Sequence, residues 1–261
     1  KVSWNDPADV ERVIAAEGPD TIAGFIFEPV TGAAGGCLSA GPEYWQAVQE
    51  ICRRHDILLI ADEVMTGLGR TGARWGHEHI GVVPDVIYGT KGLGGGYVPI
   101  SMVATTIDVA GPLAALPQPY MYFTYTGASA MCAGAIAVLD ILEREQLLER
   151  VGTMGALLDR RLRMELGDHP NVKEIRGSGL FYGIELARDG HRGELFGRAR
   201  GIATRVVGAA LAQDVWVYPA GSGPVHDAVM LGCPFVVTED EIDTMVSTLR
   251  AAIDQVVAEE A

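Results

Sequence analysis

The chain reads as α/β, with a mostly parallel sheet in its first part and a smaller α+β domain after it. Two observations carry that reading. Short apolar runs alternate with helical segments up to about residue 107, which is the signature of βαβ units. Charged residues stand at or just past the ends of three of those runs: Glu28, Asp62 and Lys91. In open parallel sheets, ligands bind beyond the carboxyl ends of the strands.

The elements follow in order. "DPADVERVIAAEG" opens on an acidic cap with proline in the first turn and closes on glycine, so it predicts a helix over about 7–17. "TIAGFIFEPV" predicts a buried strand over 21–27, ended by Glu28. "GPEYWQAVQEICRRHD" sets Tyr44, Val48, Ile51 and Cys52 at helical spacing. "ILLIA" is a short apolar strand that stops at Asp62, "PDVIYGT" one that stops before Lys91, and "PISMVATT" a fourth. A long helical region covers about 128–166, with a break near 150–153. Beyond it, "VKEIRGSGLFYGIEL" predicts two strands around a glycine-rich bend. A helix covers roughly 194–213, "VWVYP" and "AVMLGC" are short strands, and a last helix runs over about 239–259. The expected division is a large domain with an interdomain helix, residues 1–150, and a small C-terminal domain, residues 151–261.

Composition narrows the function. With 261 residues, 48% of them hydrophobic and 21% charged, the chain is long enough for one large or two modest domains. A net charge of −14 repels phosphate backbones and anionic lipid, so neither a nucleic-acid partner nor a membrane is expected. No apolar run approaches the ~20 residues that span a bilayer; "GASAMCAGAIAVLDIL" comes nearest and contains Asp140. Cys37, Cys52, Cys132 and Cys233 form no C-x-x-C pair, which fits reduced thiols in a cytoplasmic protein.

"LLIADEVMTGLGRTG" holds two competing signals. Gly67-x-Gly69-x-x-Gly72 spells a dinucleotide fingerprint, and with it a dinucleotide-binding oxidoreductase. That fingerprint requires its first glycine to end a strand and its last to open a helix. Here Gly67 comes five positions after Asp62, and "ARWGHEH" is a poor helix start. The glycines read better as tight turns near a ligand. "KGLGGGY" is no P-loop, because its lysine precedes the glycines. His77-Glu78-His79 lacks H-E-x-x-H spacing and a third ligand, so no metal is expected. No G-x-S-x-G elbow is present.

The other signal is the acid. Asp62 and Lys91 are 29 positions apart, at the ends of neighbouring strand-like runs. A lysine at a strand end is often simply solvated, but one held out of water gives up its proton more readily and can form a Schiff base with a carbonyl. A carboxylate can hold a pyridinium nitrogen protonated and make that ring an electron sink. At ~4 Å in a partly screened site such a charge pair is worth about 4 kcal/mol.

"EPVTGAAGG", "LLIADEVMTGLGRTG", "PDVIYGTKGLGGGYVPIS" and "YFTYTGASAMCAGA" together resemble the successive blocks of class III aminotransferases, in the family's order and spacing. The resemblance continues through "VKEIRGSGLFYGIEL" and "CPFVVTEDEID". It implies fold type I, with pyridoxal 5′-phosphate as cofactor. It implies that Lys91 carries the Schiff base, that Asp62 pairs with the pyridine nitrogen, that Val64 packs on the ring, and that Met65 lies near the ring's phenolic oxygen. Thr124 would reach the cofactor phosphate of a neighbouring subunit, which implies a homodimer with shared sites. Glu28 would line the substrate pocket, with Glu63 and Arg70 in support. The implied reaction moves an amino group from an amine or ω-amino acid to a keto acid such as pyruvate or 2-oxoglutarate.

The pattern departs from the family in three places. Met65 stands where many members have Gln or Ile, and it also fits a glutamate-1-semialdehyde-type aminomutase. "GASAM" lacks the usual proline block. Tyr218 occupies the place of an arginine that grips the substrate carboxylate, a role His226 is a candidate to take over. Family members also have a part preceding "KVSWNDP" that cradles the phosphate and begins the sheet. The expectation is therefore a partial large domain that binds the cofactor weakly by itself, with an inactive fragment as the alternative.

Overall fold

The computed structural model describes residues 1–118, 123–223 and 225–260. Tyr122, which opens the "YFTYTG" block, and Pro224 lie outside them. The chain divides into two units. Unit 1 comprises Lys1–Pro29, Ala40–Gly69 and Ala73–Glu145, and unit 2 comprises Val30–Ser39, Arg70–Gly72 and Gln146–Ala261. Both units are discontinuous in sequence.

Unit 1 begins with α1 (Pro7–Glu17), whose first amides at Ala8 and Asp9 are capped by the Asp6 carboxylate. Pro19–Thr21 takes a 3₁₀ turn, so β1 (Gly24–Phe27) starts later than the apolar run suggests. Then come α2 (Pro42–Arg54), β2 (Leu58–Asp62), the one-turn α3 (His77–Ile80) and β3 (Val86–Gly89). A 3₁₀ turn over Lys91–Gly94 leads to β4 (Met102–Thr105), α4 (Ile107–Ala114) and α5 (Ser129–Arg144). The sheet order is β1-β2-β3-β4. β1 to β2 and β2 to β3 are parallel, and β3 to β4 is antiparallel.

Alternation along the strands sorts this sheet into two faces. Phe27, Leu59 and Ala61 join Val10, Ile14, Trp45, Val48 and Ile51 of α1 and α2 in one core. The opposite face carries Ile26, Ile60 and Asp62. Ile26 is 59% exposed there, so the described residues of unit 1 bury only one face of β1.

Unit 2 opens with α6 (Leu147–Leu166). The helix break falls at Glu145–Gln146 rather than near 150–153, because Gln146 turns into the left-handed region (φ 51°). β5 (Val172–Ser178) and β6 (Phe181–Leu186) form the expected hairpin. The helix expected over 194–213 shrinks to α7 (Ile202–Leu211), preceded by a 3₁₀ turn over Arg198–Arg200. Gly201 sits between them at φ 57°, a conformation that interrupts a continuous helix. β7 (Tyr218–Ala220), β8 (Ala228–Gly232) and α8 (Glu239–Ala258) complete the unit. β7 lies later than the "VWVYP" run, with only Tyr218 and Pro219 in common.

All pairings in the order β5-β6-β8-β7 are antiparallel. Leu158 and Leu162 of α6, Val206 of α7 and Leu249 of α8 pack with Ile184 and Val229 in the unit's core. Two excursions from the first half of the sequence join this unit by hydrogen bonds. Leu180 N donates to Arg70 O (3.1 Å) and Ser178 Oγ to Thr71 O (2.9 Å). Gly221 N donates to Ala33 O (2.8 Å) and Arg176 Nε to Gly36 O (2.9 Å).

Among the described residues no helix is long and apolar enough to cross a membrane. Leu158 is fully buried in the unit 2 core. Leu158→Ala is expected to destabilise unit 2 by about 2–5 kcal/mol, seen as a lower denaturant midpoint and faster amide exchange in β6.

Candidate active site

Parallel pairing sets the site. β1, β2 and β3 run the same way, so the residues that end them emerge at one edge of the sheet. Asp62 ends β2 and pairs in register with Tyr88 of β3. Lys91 follows β3 by two positions and opens the 3₁₀ turn. Glu28 follows β1 directly.

The Asp62 carboxylate is held from two sides. Val64 N donates to its Oδ1 at 3.1 Å, and the Tyr88 hydroxyl donates to its Oδ2. Burial pushes the Tyr88 phenol up to about 12, helped by that hydrogen bond and by the charges of Asp62 and Glu28. Tyr88 therefore stays protonated, as a donor, across the physiological range. Lys91 Nζ lies 2.7 Å from Met65 Sδ, so Met65 joins the Asp62 turn to the lysine. Five of the expected residues, Glu28, Asp62, Val64, Met65 and Lys91, thus belong to one edge of the unit 1 sheet and the turns that leave it.

Among the described residues Lys91 is exposed. Glycines at 92, 94, 95 and 96 surround it in sequence and bring no side chains to cover it. Thr124 is exposed in a turn over 124–127, and among the described residues no hydrogen bond ties it to Asp62 or Lys91.

Lys91 also carries backbone strain. Its φ of 45° is left-handed, as is the 60° of Leu68. Such conformations cost of order 1–3 kcal/mol in non-glycine residues and cluster at functional sites.

Glu63 anchors the segment that follows Asp62. It is 1% exposed and accepts four hydrogen bonds. They come from Thr66 Oγ1 (2.5 Å), Gly76 N (2.8 Å), His77 N (2.8 Å) and His77 Nδ1 (2.9 Å). Burial alone would raise its carboxyl, but the donors from His77, Thr66 and Gly76 outweigh burial and hold it below the usual range. Two glycines are required here by close approach. A Cβ on Gly67 would stand 2.8 Å from the Trp75 ring and from Glu63 O, and one on Gly76 would stand 2.6 Å from Thr66. No helix opens at Gly72. The glycine pattern therefore closes a turn over a buried carboxylate, and the dinucleotide reading falls.

Arg70 has another task. Burial lowers its guanidinium, which donates to Cys233 O (2.5 Å) and Leu180 O (3.3 Å) and lies 4.7 Å from the Phe235 ring centre, all within unit 2. Unit 2 has a cavity of about 600 Å³, with Arg198, Thr204, Tyr218, Ser222, His226 and Asp227 in its lining. His226 Nε2 is already taken by Phe196 O at 2.9 Å. Sequence reasoning missed Tyr88, whose one signal was a hydroxyl-bearing aromatic in an apolar strand three positions before Lys91.

The family model for class-III aminotransferases matches residues 6–253. The chain belongs to the class III aminotransferase family. Its fold is that of the pyridoxal-phosphate-dependent transaminases. A transaminase from Virgibacillus superposes with a TM-score of 0.93 at 28% identity, over 98% of this chain and 58% of that one. The diaminobutyrate–2-oxoglutarate transaminase of Halomonas elongata is 36% identical over 95% of this chain and 53% of its own length. The taurine–pyruvate aminotransferase of Bilophila wadsworthia is 37% identical over 95% of this chain and 55% of its own length. The aminotransferase chain thus spans about half the length of the curated relatives it matches.

Because the folded Glu63 carboxyl sits below its ordinary value of 4.5, its stabilisation is present above that pH and is lost as pH falls through the lower, folded value. Glu63→Gln is expected to lower the unfolding midpoint at pH 7, with the gap to the parent narrowing below about pH 4.5. Glu63→Ala strands the buried Thr66 and Gly76 donors and is expected to cost about 3 kcal/mol in denaturant titrations.

Proposed function

We propose that this class III aminotransferase chain serves amino transfer from an amine or ω-amino acid to a keto acid, pyruvate or 2-oxoglutarate, with pyridoxal 5′-phosphate. The observation that carries this reading is the strand-end set, a carboxylate on β2 and an amine just past β3 at one edge of the sheet. The donor set fits the cofactor, because it offers an anion for a ring nitrogen and a primary amine for an aldehyde carbon. When bound, the cofactor supplies an electron sink that stabilises negative charge at the substrate's α-carbon.

The remaining work falls to the chain's own side chains. Asp62 would hold a proton on the ring nitrogen, its carboxylate oriented by Val64 N and the Tyr88 hydroxyl. Lys91 would take the aldehyde carbon at Nζ, then carry a proton on that same atom between the two carbons that exchange it. Val64 would pack on the ring face, and Met65 would sit beside the ring oxygen. Glu28 would face the substrate. Residues 1–150 would form the cofactor-binding large domain with the interdomain helix, and residues 151–261 the small C-terminal domain.

Thr124 would contact the cofactor phosphate of a second copy in a homodimer. Its neighbours Phe123 and Tyr125 support this, being 64% and 86% exposed, as do the exposed Ile136 and Leu139 of α5. Large apolar side chains left in water mark surfaces that a partner covers. Four free thiols fit a reducing, cytoplasmic setting.

Borohydride reduction of the full-length protein with pyridoxal phosphate, followed by peptide mapping, tests the assignment. The expected label is on Lys91, and a label on any other lysine overturns it. Lys91→Ala is expected to abolish turnover. Asp62→Asn is expected to lose several orders of magnitude in kcat, with an unchanged circular dichroism spectrum.

A further inference from the structure

We infer that Tyr88 is a positioning residue that acts through Asp62, fixing the carboxylate orientation in which it meets the cofactor ring nitrogen. The inference rests on the proposed role of Asp62 and goes beyond it, since it assigns a function to a side chain that only the strand register brings to the site.

Three observations carry it. First, Tyr88 and Asp62 are direct partners across the parallel β2–β3 ladder. The ladder continues one step, since Glu63 N donates to Tyr88 O at 3.0 Å. The tyrosine therefore stands within the paired ladder, not on a loop. Second, among the described residues each Asp62 oxygen accepts one hydrogen bond, Oδ1 from Val64 N and Oδ2 from the Tyr88 hydroxyl. A carboxylate oxygen accepts two hydrogen bonds, so each keeps a free lone pair while the group as a whole is pinned. Third, Tyr88 is partly buried, and its hydroxyl meets the carboxylate directly. A phenylalanine would keep the ring and remove only the donor.

Pinning matters for this chemistry. A carboxylate has a softly rotating terminal bond, and a ring nitrogen is well served by only part of that rotation. A backbone N–H and a hydroxyl carried on the paired strand together favour one arrangement, so the ion pair forms without first freezing the side chain. A hydrogen bond to a charged group is worth about ten- to hundredfold in an equilibrium or rate.

The test is a double-mutant cycle on the full-length protein, with Tyr88→Phe, Asp62→Asn and the double variant. Affinity for pyridoxal 5′-phosphate is read by quenching of protein fluorescence as the cofactor is titrated into apo-protein. Turnover gives kcat and KM separately. Tyr88→Phe is expected to weaken cofactor affinity and kcat by about tenfold or more. The KM for both substrates should stay within about twofold, and the unfolding midpoint of the apo-protein should not change. In the Asp62→Asn background the same substitution is expected to change neither quantity by more than about twofold. A Tyr88→Phe effect of equal size in both backgrounds overturns the inference, because the tyrosine then acts independently of Asp62. Unchanged or tighter cofactor binding by Tyr88→Phe overturns it too. If Asp62→Asn itself changes neither affinity nor kcat, the proposed role of Asp62 fails, and the role of Tyr88 with it.

Discussion

The parallel register of β1, β2 and β3 is the constraint on which the candidate site depends. Hydrogen bonding between parallel strands aligns their carboxyl ends, and each connection must cross over before the next strand begins. Residues far apart in the chain therefore emerge at one edge. Asp62 faces Tyr88 because Ile60 faces Val86 two residues earlier in the same ladder. A slip of one residue would move the carboxylate to the face packed against α1 and α2. There it would meet the apolar side chains around Leu59 and Ala61 instead of a hydroxyl.

Beyond that edge the chain has to turn without losing its position, and the buried Glu63 carboxylate supplies the means. It gathers one hydroxyl, two backbone amides and one imidazole nitrogen. A buried charge is tolerated only when it is saturated with donors, and this one is. The bonds from Gly76 and His77 to Glu63 close the turn that follows Asp62, and Val64 N within it donates to the Asp62 carboxylate. Gly67 and Gly76 are small because the turn closes tightly over Thr66 and Trp75. The left-handed backbone at Leu68 and Lys91 is the conformational cost of placing an amine next to this turn.

The smaller unit shows that sequence order and packing order differ. Segments 30–39 and 70–72 leave the first half of the chain and hydrogen-bond to the second. Arg70 fits that role because its planar donors reach carbonyl oxygens of two strand ends while its face lies on Phe235. A residue that reads as supporting the site is thus an anchor inside the other unit.

The sequence alone determined the element types along most of the chain, the mostly parallel character of the first sheet, and the placing of an acid and a lysine 29 positions apart at the ends of neighbouring strands. These were legible because they are local: hydrophobic periodicity, caps such as Asp6, and charges that end apolar runs are written in consecutive residues. It could not locate the helix break at Gln146 or the short α7, where single backbone angles decide. Tyr88 looked like one more apolar strand residue, Glu63 like a supporting neighbour of Asp62, and Lys91 like an amine that could be solvated or desolvated. Only tertiary structure distinguished them, because a hydrogen bond across a ladder, the burial of a carboxylate and the exposure of an amine depend on what other segments bring close.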